Sequence, residues 1–547
     1  MSERKVGSVT YQEVGEEYFD KRGLRRHAGV WSLWALGVGA VISGDYYGWN
    51  FGLDVGGFGG LLIATAVIAV MYYGLCYSIA EMSPALPHTG GAYSFARSAM
   101  GPWGGFLTGL SENAEYVITT AVVNGAIALL AQATFADLFN ITGDPWYNSE
   151  PFWWAVFYIV FLAINISGIE ATMRFTIVIT VLALAILIVF YVAALVSGEF
   201  DPDLLTNIPP DEGASSFLPH GIGGIFKALP FAIWFYLAIE EVPLAAEESM
   251  DPKRDVPRGT VWGMHTLLIF SIFTLFLNSG VGGGAAEIGV SGTPLFDGFR
   301  AIFGEGTGAV LLGMMGLIGL VASFFTIMYA AGRNTYSLSR AGYFPKFLSV
   351  THATRKTPHV AMIVASVVGY AVLWVVWYLG RQEGELGAQV VAAVLNMAVF
   401  AAVIAYALQC LSFILLRRNL PNINRPYRSK WGVPGALIAG IIAVVALVSI
   451  FLNEGYRPGV YGVAVYFVLG ILYFAIAGRH RLVLSPEEEF ALTRGERGVP
   501  EESYGHSAAE QEAVLRGESG GGMGTSSGMG TSSSEGSSSP PEGPSSG

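Results

Sequence analysis

Apolar runs of about 17 to 25 residues alternate along the chain with short polar connections, the length a helix needs to cross a roughly 30 Å hydrocarbon layer. Twelve such runs stand at about 31–55, 59–80, 103–132, 152–168, 175–197, 221–244, 260–280, 308–332, 359–379, 388–416, 432–452 and 460–477. The pattern predicts an all-α integral membrane protein of twelve spans. Residues 1–29 are polar and carry Arg22, Arg25 and Arg26 without the apolar stretch of a cleavable signal. Past the last run the composition changes to Glu, Ser, Gly and Pro, and Gly-Met-Gly-Thr-Ser-Ser repeats at 522–527 and 528–533. A short surface helix capped by Ser485 before Glu487, Glu488 and Glu489 is expected there, with a second candidate at Ala508 to Arg516 and disorder beyond Gly517. The expected organisation is a polar segment over 1–29, a membrane domain over 30–478 and a tail over 479–547.

Composition agrees with the pattern and excludes several classes. Of 547 residues only 13% are charged and 52% are hydrophobic, and mean hydropathy is +0.50. So little charge cannot cover a water-facing surface, which argues against a nucleic-acid binder, a secreted disulfide scaffold or a soluble enzyme. Cys76 and Cys410 are far apart in apolar runs, so neither a disulfide framework nor a metal cluster is expected. Lys and Arg set the orientation. Twenty-six of the 30 lie in the termini and connections on one side, leaving Lys227, Arg300, Arg381 and Arg457 on the other. Both termini are therefore expected in the cytoplasm, with the protein in the plasma (inner) membrane. The external connections read acidic, as in Glu199, Asp201, Asp203, Asp211 and Glu212.

Two spans carry residues that do not suit an unbroken helix. The first contains Gly37, Gly39, Ser43, Gly44, Asp45, Tyr46, Tyr47 and Gly48 in one run. Glycine weakens a helix by about 1 kcal/mol relative to alanine, and Ser43 offers hydrogen bonds to freed backbone groups, which predicts a break at Ser43 to Asp45. Small residues also let membrane helices pack closely, but packing does not explain Asp45. The sixth contains Trp234, Tyr236, Ala238, Glu240, Glu241 and Pro243. Proline removes a backbone donor and clashes with the preceding turn, so a second break is expected over 237–241. Interrupted spans opening spans 1–5 and 6–10 point to an inverted-repeat transporter with its site between the breaks, the repeats falling at about 30–198 and 220–416 and spans 11–12 at about 432–477.

The same residues carry a family resemblance. Gly39 to Tyr47 resembles the first-span glycine motif of the amino acid–polyamine–organocation permeases. Glu81-Met82, Pro87 to Tyr93 and Gly101-Pro102 resemble their connection after span 2, Ala246 to Arg258 their connection after span 6, and Arg333 to Pro345 their segment after span 8. The runs Ile42 to Asn50 and Leu86 to Glu115 look most like bacterial ethanolamine permeases. The resemblance covers about 25–430. It implies the five-plus-five inverted-repeat, LeuT-like fold with broken spans 1 and 6, alternating access, and a site between spans 1, 3, 6, 8 and 10.

One departure from the family bears on substrate. In most amino-acid-carrying members the first break reads Gly-Ser-Gly, and its bare amides at a helix N-terminus hold the substrate carboxylate. Here it reads Ser43-Gly44-Asp45. A fixed carboxylate repels a carboxylate and attracts an ammonium, so a small amine is expected, and ethanolamine satisfies both the chemistry and the resemblance. Glu115 in span 3 and Glu240 at the second break are candidates to join Asp45. Three isolated charges there would cost on the order of 8 to 10 kcal/mol, so they should pair, face a wet cavity or bind protons; a hydrogen bond to a neighbouring helix is the plainer reading of each. Glu112 and Glu241 are set aside as weaker site candidates; on a helix Glu241 projects about 100° away from Glu240. Trp234 matches the position of an aromatic gate in the family, and Tyr46, Tyr116 and Tyr236 are further candidates for cation–π contact. The expected substrate-binding set is Ser43, Gly44, Asp45, Tyr46, Glu115, Trp234, Tyr236, Ala238 and Glu240.

No cofactor is expected. Uncoupled uniport, exchange and ion-coupled transport are all open; the candidate coupling ions are H⁺ on one of the three acids, or Na⁺ held by Ser323 and Thr326 with carbonyls near Ala40 and Val41, although hydroxyls in membrane helices more often bond their own backbone. His88 and His265 read as structural, and Asn165, Asn278 and Asn396 as bonds between helices. The expected partners are a small amine and the lipid bilayer, with no nucleic acid; oligomeric state is not legible. The rivals are an amino acid or polyamine permease and a membrane amine sensor. An intramembrane enzyme is disfavoured because the spans hold no metal, Ser/His or phosphate-loop pattern.

Overall fold

The computed structural model describes residues 3–483 apart from 7, 13, 15–17, 19–20, 87–89, 144, 305–306, 382–385 and 453–455. The expected tail helices and disordered end, and His88, lie outside the described residues. Among the described residues eleven helices are long and apolar enough to cross a membrane. Span 1 is the twelfth: its unbroken part, Val30–Val41, has only 12 residues, too few for a bilayer at 1.5 Å per residue. A short turn, Ser43–Tyr46, continues it.

Span 2 lies in Phe51–Ala85, whose axis turns at Gly57 with φ +68, a value a side chain disfavours. That single residue makes the whole expected gap between the first two spans. Span 3 lies in Ala92–Phe139, which bends in the same way at Gly101 ahead of Pro102. Spans 4 and 5 are Glu150–Ser167 and Ile169–Val196. Span 6 starts as Gly221–Ala232, and span 7 is Pro252–Ser279. Spans 8 to 12 are Thr307–Arg340, His359–Gly380, Leu386–Asn419, Gly432–Leu452 and Arg457–Ile476. Two short helices not foreseen, Gly284–Val290 and Pro294–Phe303, sit between spans 7 and 8. Asn50 ties the first of them to the end of the span 1 interruption, its amide donating to Ile288 O at 2.8 Å and Ser291 O at 2.9 Å.

Burial sorts the spans by role. The most apolar window of span 8 is 78% buried and that of span 12 only 17%, so span 8 is a central post and span 12 presents itself to lipid. Spans 3 and 10 pack along each other, span 8 packs on spans 3, 5 and 9, and span 2 packs on spans 6 and 7. The N-terminal segment, read from sequence only as polar, contains a hairpin. Strands β1 (Glu3–Val6) and β2 (Val9–Gln12) are antiparallel, and β3 (Leu482–Val483), just after span 12, adds to β2 in parallel. Arg97 donates to Val483 O at 2.9 Å and so joins the sheet to the start of span 3.

Candidate functional site

The first interruption is made by a side chain from span 8. In an unbroken helix the Ser43 amide would bond the Gly39 carbonyl. Instead it donates to Ser323 Oγ at 2.8 Å, and Ser323 Oγ donates to Gly39 O at 2.8 Å. A hydroxyl inserted into the ladder opens a helix without leaving its backbone groups unpaired. Residues from Ile42 stay right-handed, and the backbone leaves helical values only at Tyr47 (φ −161, ψ 150) and Gly48 (φ +97). The interruption thus starts at Ser43 as expected and runs on to Gly48, past the expected limit at Asp45.

The second interruption is local. The α-helix ends at Ala232, one 3₁₀ turn covers Ile233–Phe235, and Ala238 takes a left-handed conformation at φ +82. A ten-residue 3₁₀ segment, Ile239–Glu248, follows and contains Pro243. The departure from the helix therefore precedes the expected 237–241, and proline shapes the segment after it.

The two interruptions meet. A Cβ on Gly44 would lie 1.8 Å from the Trp234 carbonyl oxygen, and one on Gly48 3.2 Å from the Trp234 ring. Only glycine lets these backbones approach so closely. Ser43, Gly44, Asp45, Tyr46, Trp234, Tyr236, Ala238 and Glu240 are all buried around this contact.

The acids fall into two neighbourhoods. Asp45 is fully buried, and neither of its oxygens makes a well-formed hydrogen bond to a protein donor. Thr274, Tyr46, Tyr191 and Tyr236 stand beside it. Tyr46 donates to Ala183 O at 2.8 Å, Tyr236 and Ser271 are 2.9 Å apart, and Tyr191 and Thr274 2.6 Å apart, which leaves the Thr274 hydroxyl as the one in reach of Asp45. Glu115 and Glu240 are instead in hydrogen-bond contact with each other. Tyr406 donates to Glu115 Oε1 at 2.9 Å, Tyr116 to Glu240 Oε1 at 3.5 Å, and Tyr72 to the Tyr406 hydroxyl at 3.2 Å. Tyr236 connects the neighbourhoods, its ring 5.4 Å from that of Tyr72. Glu112 and Glu241, set aside in the sequence, are also buried; Glu112 accepts from Asn334 at 3.3 Å, and Glu241 has no donor.

Toward the N-terminal side, span 8 grips the end of span 6. Arg333 holds Glu248 through two bonds of 3.0 and 2.9 Å, both side chains fully buried, and Tyr329 donates to the same carboxylate. Two turns further along span 8, Arg340 pairs with Glu247. The Arg333 guanidinium lies 3.4 Å over the Tyr329 ring, a cation–π arrangement that strengthens when desolvated. These pairs, with Tyr72, Tyr406, Ser271 and Thr274, were missed from sequence; the only signal was their polar type inside apolar runs.

The residues considered for Na⁺ are committed within the protein. Ser323 serves the helix break, and Thr326 Oγ1 donates to Ala322 O at 2.8 Å and reaches Ser323 O at 3.2 Å. Among the described residues no group of three His, Cys, Asp or Glu side chains is placed to hold a metal ion. Of the other polar residues, Asn165 bonds Phe325 O on span 8, Asn278 has no hydrogen-bond partner, and His265 meets the Tyr73 hydroxyl at 2.6 Å.

The chain matches the amino acid permease family over residues 29–476 and belongs to it; members of this family are transporters, so the chain is a multi-pass membrane permease. It is 29% identical to an uncharacterised transporter of Rhizobium meliloti (strain 1021), over 83% of this chain and 92% of that one. It is 23% identical to a branched-chain amino acid permease and 24% identical to a methylthioribose transporter, both of Bacillus subtilis (strain 168), each over 84% of this chain and 95% of the relative. Among solved structures, MhsT in complex with L-phenylalanine superposes with a TM-score of 0.55 at 16% identity, covering 78% of this chain and 99% of that one. That likeness shows the LeuT-like five-plus-five fold with its broken spans 1 and 6.

Proposed function

We propose that the protein imports a small primary amine, ethanolamine or a close analogue, by alternating access around the two interruptions, with both termini in the cytoplasm. The observation that carries this reading is Asp45, fully buried at the meeting point of the breaks with no cation beside it among the described residues and only the Thr274 hydroxyl in reach as a donor. An unmet buried carboxylate costs several kcal/mol unless a cation or a proton answers it. An ammonium answers it; a substrate carboxylate at the same place adds like-charge repulsion. Tyr236 and Tyr46, close enough to Asp45 to interact with its charge, are the aromatic candidates for contact with a cation, each worth about 0.5 to 2 kcal/mol. Trp234 closes over the same space against Gly48.

A second reading, an amino acid carrier, is favoured by relatives named for branched-chain amino acids and histidine. The relative named for methylthioribose is a reminder that cargo in this family extends beyond amino acids. Uptake of labelled ethanolamine into proteoliposomes, with neutral amino acids as competitors, separates the two. Ethanolamine flux that resists a hundredfold excess of amino acids supports the amine, and Asp45→Asn should then raise the half-saturating concentration at least tenfold. Absence of ethanolamine flux, or equal competition by amino acids, sinks it.

A further inference from the structure

We propose that Glu115 and Glu240 form a proton-holding site, separate from the substrate carboxylate Asp45, and that this pair couples transport to a proton gradient. The inference rests on the transport reading above but not on which substrate is carried. Two carboxyl groups in hydrogen-bond contact have acceptor oxygens facing each other, and the contact holds only when one of them carries a proton. Among the described residues neither group is met by a cation: the partners around the pair are the Tyr406, Tyr116 and Tyr72 hydroxyls, with Cys76, Glu112 and Glu241 close by. The nearby arginine, Arg333, is already held by Glu248, seven residues beyond Glu241. One oxygen of each acid, Glu115 Oε2 and Glu240 Oε2, lacks any protein donor, which leaves room for that shared proton.

The position of the pair converts proton binding into work. Glu115 is on span 3, which packs along spans 8 and 10, whereas Glu240 is on the irregular stretch of span 6 beyond Ala238. The proton therefore closes a seam between a continuous helix and a broken one. When the site opens to the N-terminal side, the carboxylic O–H bond breaks, the proton passes to water, and two carboxylates remain that repel each other across the seam. Return needs one proton from the opposite side. Each cycle then moves one substrate and one proton in the same direction. A sodium site at the Ser323 hydroxyl is disfavoured by the same geometry, because that hydroxyl already both accepts and donates at the span 1 break.

The test uses the full chain in proteoliposomes with the membrane potential clamped, an entrapped pH dye, and labelled ethanolamine and a labelled branched-chain amino acid run in parallel. Whichever substrate is carried should bring in about one proton per molecule and, at a pH difference of one unit, accumulate about tenfold. Glu115→Gln and Glu240→Gln should each reduce that ratio to about one and remove the proton movement that accompanies uptake. Replacing Na⁺ by choline should change nothing. Wild-type uptake without proton movement, accumulation that depends on Na⁺, or Gln variants that keep the tenfold ratio would each overturn the proposal. If a variant fails to insert, the wild-type proton trace decides. Failure of ethanolamine alone, with protons still accompanying the amino acid, overturns the substrate reading and leaves this one standing.

Discussion

The interruption in span 1 is borrowed from elsewhere in the chain, whereas that in span 6 is written into its own residues. Between Gly39 and Ser43 the backbone keeps right-handed values and one hydroxyl, 280 residues away in sequence, replaces a helical hydrogen bond by two. Among the described residues span 6 has no such insert; it turns through a left-handed alanine and continues as a 3₁₀ segment stiffened by Pro243. Span 8 serves both, through Ser323 on span 1 and through Arg333 and Arg340 on the end of span 6. The first attachment is a pair of neutral hydrogen bonds, worth about 0.5 to 1.5 kcal/mol each. The second is two buried ion pairs, where losing one partner costs about 3 to 5 kcal/mol. The contrast suggests that span 1 is the more easily detached of the two from the central post.

The largest effect expected from this comparison comes at the span 6 clamp. Arg333→Met leaves Glu248 buried with Tyr329 as its remaining donor, and should destabilise the protein in detergent by about 3 to 5 kcal/mol. Arg355→Met, in an exposed connection, should stay within about 0.5 kcal/mol of wild type. A fall of less than about 1 kcal/mol for Arg333→Met would mean the clamp is not what holds span 6. Next in size is the contact between the breaks. Gly44→Ala drives a methyl into the Trp234 carbonyl, so about 1 to 3 kcal/mol and nearly all uptake should be lost. Gly223→Ala, with nothing within 4 Å of the new Cβ, should be neutral or up to about 1 kcal/mol more stable. Equal behaviour of the two variants would remove the case for a tight approach at Gly44.

Ser323→Ala should cost only about 1 kcal/mol, yet reduce uptake far more, because Ser43 and Gly39 can then pair directly and the helix closes over the break. Ser323→Thr keeps a hydroxyl and should retain most of the flux. Wild-type uptake by Ser323→Ala would show that span 1 stays open without the insert.

How far these features could be read from sequence follows from how local they are. The twelve spans were legible because each is a continuous apolar run, and the two interruptions because Gly44, Asp45, Glu240 and Pro243 contradict a plain membrane helix within a few residues. The agents that make the breaks were less so. Ser323 reads as one more hydroxyl in an apolar helix, and nothing local says that its partners are on span 1. The grouping of the acids was hidden for the same reason: Glu115 and Glu240 are brought together by spans 3 and 6 with Tyr72 and Tyr406 from spans 2 and 10, while Asp45 is framed from spans 5, 6 and 7. The N-terminal hairpin did have a local signal, Gly7-Ser8 between two short β-prone runs, but its third strand comes from beyond span 12.

The smallest expected effect tests the claim that the span 6 break is intrinsic. Ala238 holds φ at +82, where a Cβ costs about 1 to 2 kcal/mol. Ala238→Gly removes that strain while giving the unfolded chain about 0.4 to 1 kcal/mol more entropy to lose. The net should be neutral to about 1 kcal/mol stabilising, with uptake preserved. Six residues earlier, Ala232 has helical backbone angles (φ −63, ψ −25), and Ala232→Gly should lose about 0.5 to 1 kcal/mol. Opposite signs from the same chemical change, measured as the shift in unfolding midpoint of the detergent-solubilised protein, are what a locally encoded left-handed turn requires. A loss at Ala238 as large as that at Ala232 would instead mean that the alanine methyl packs usefully there, and that the break, like the one in span 1, is imposed by its neighbours.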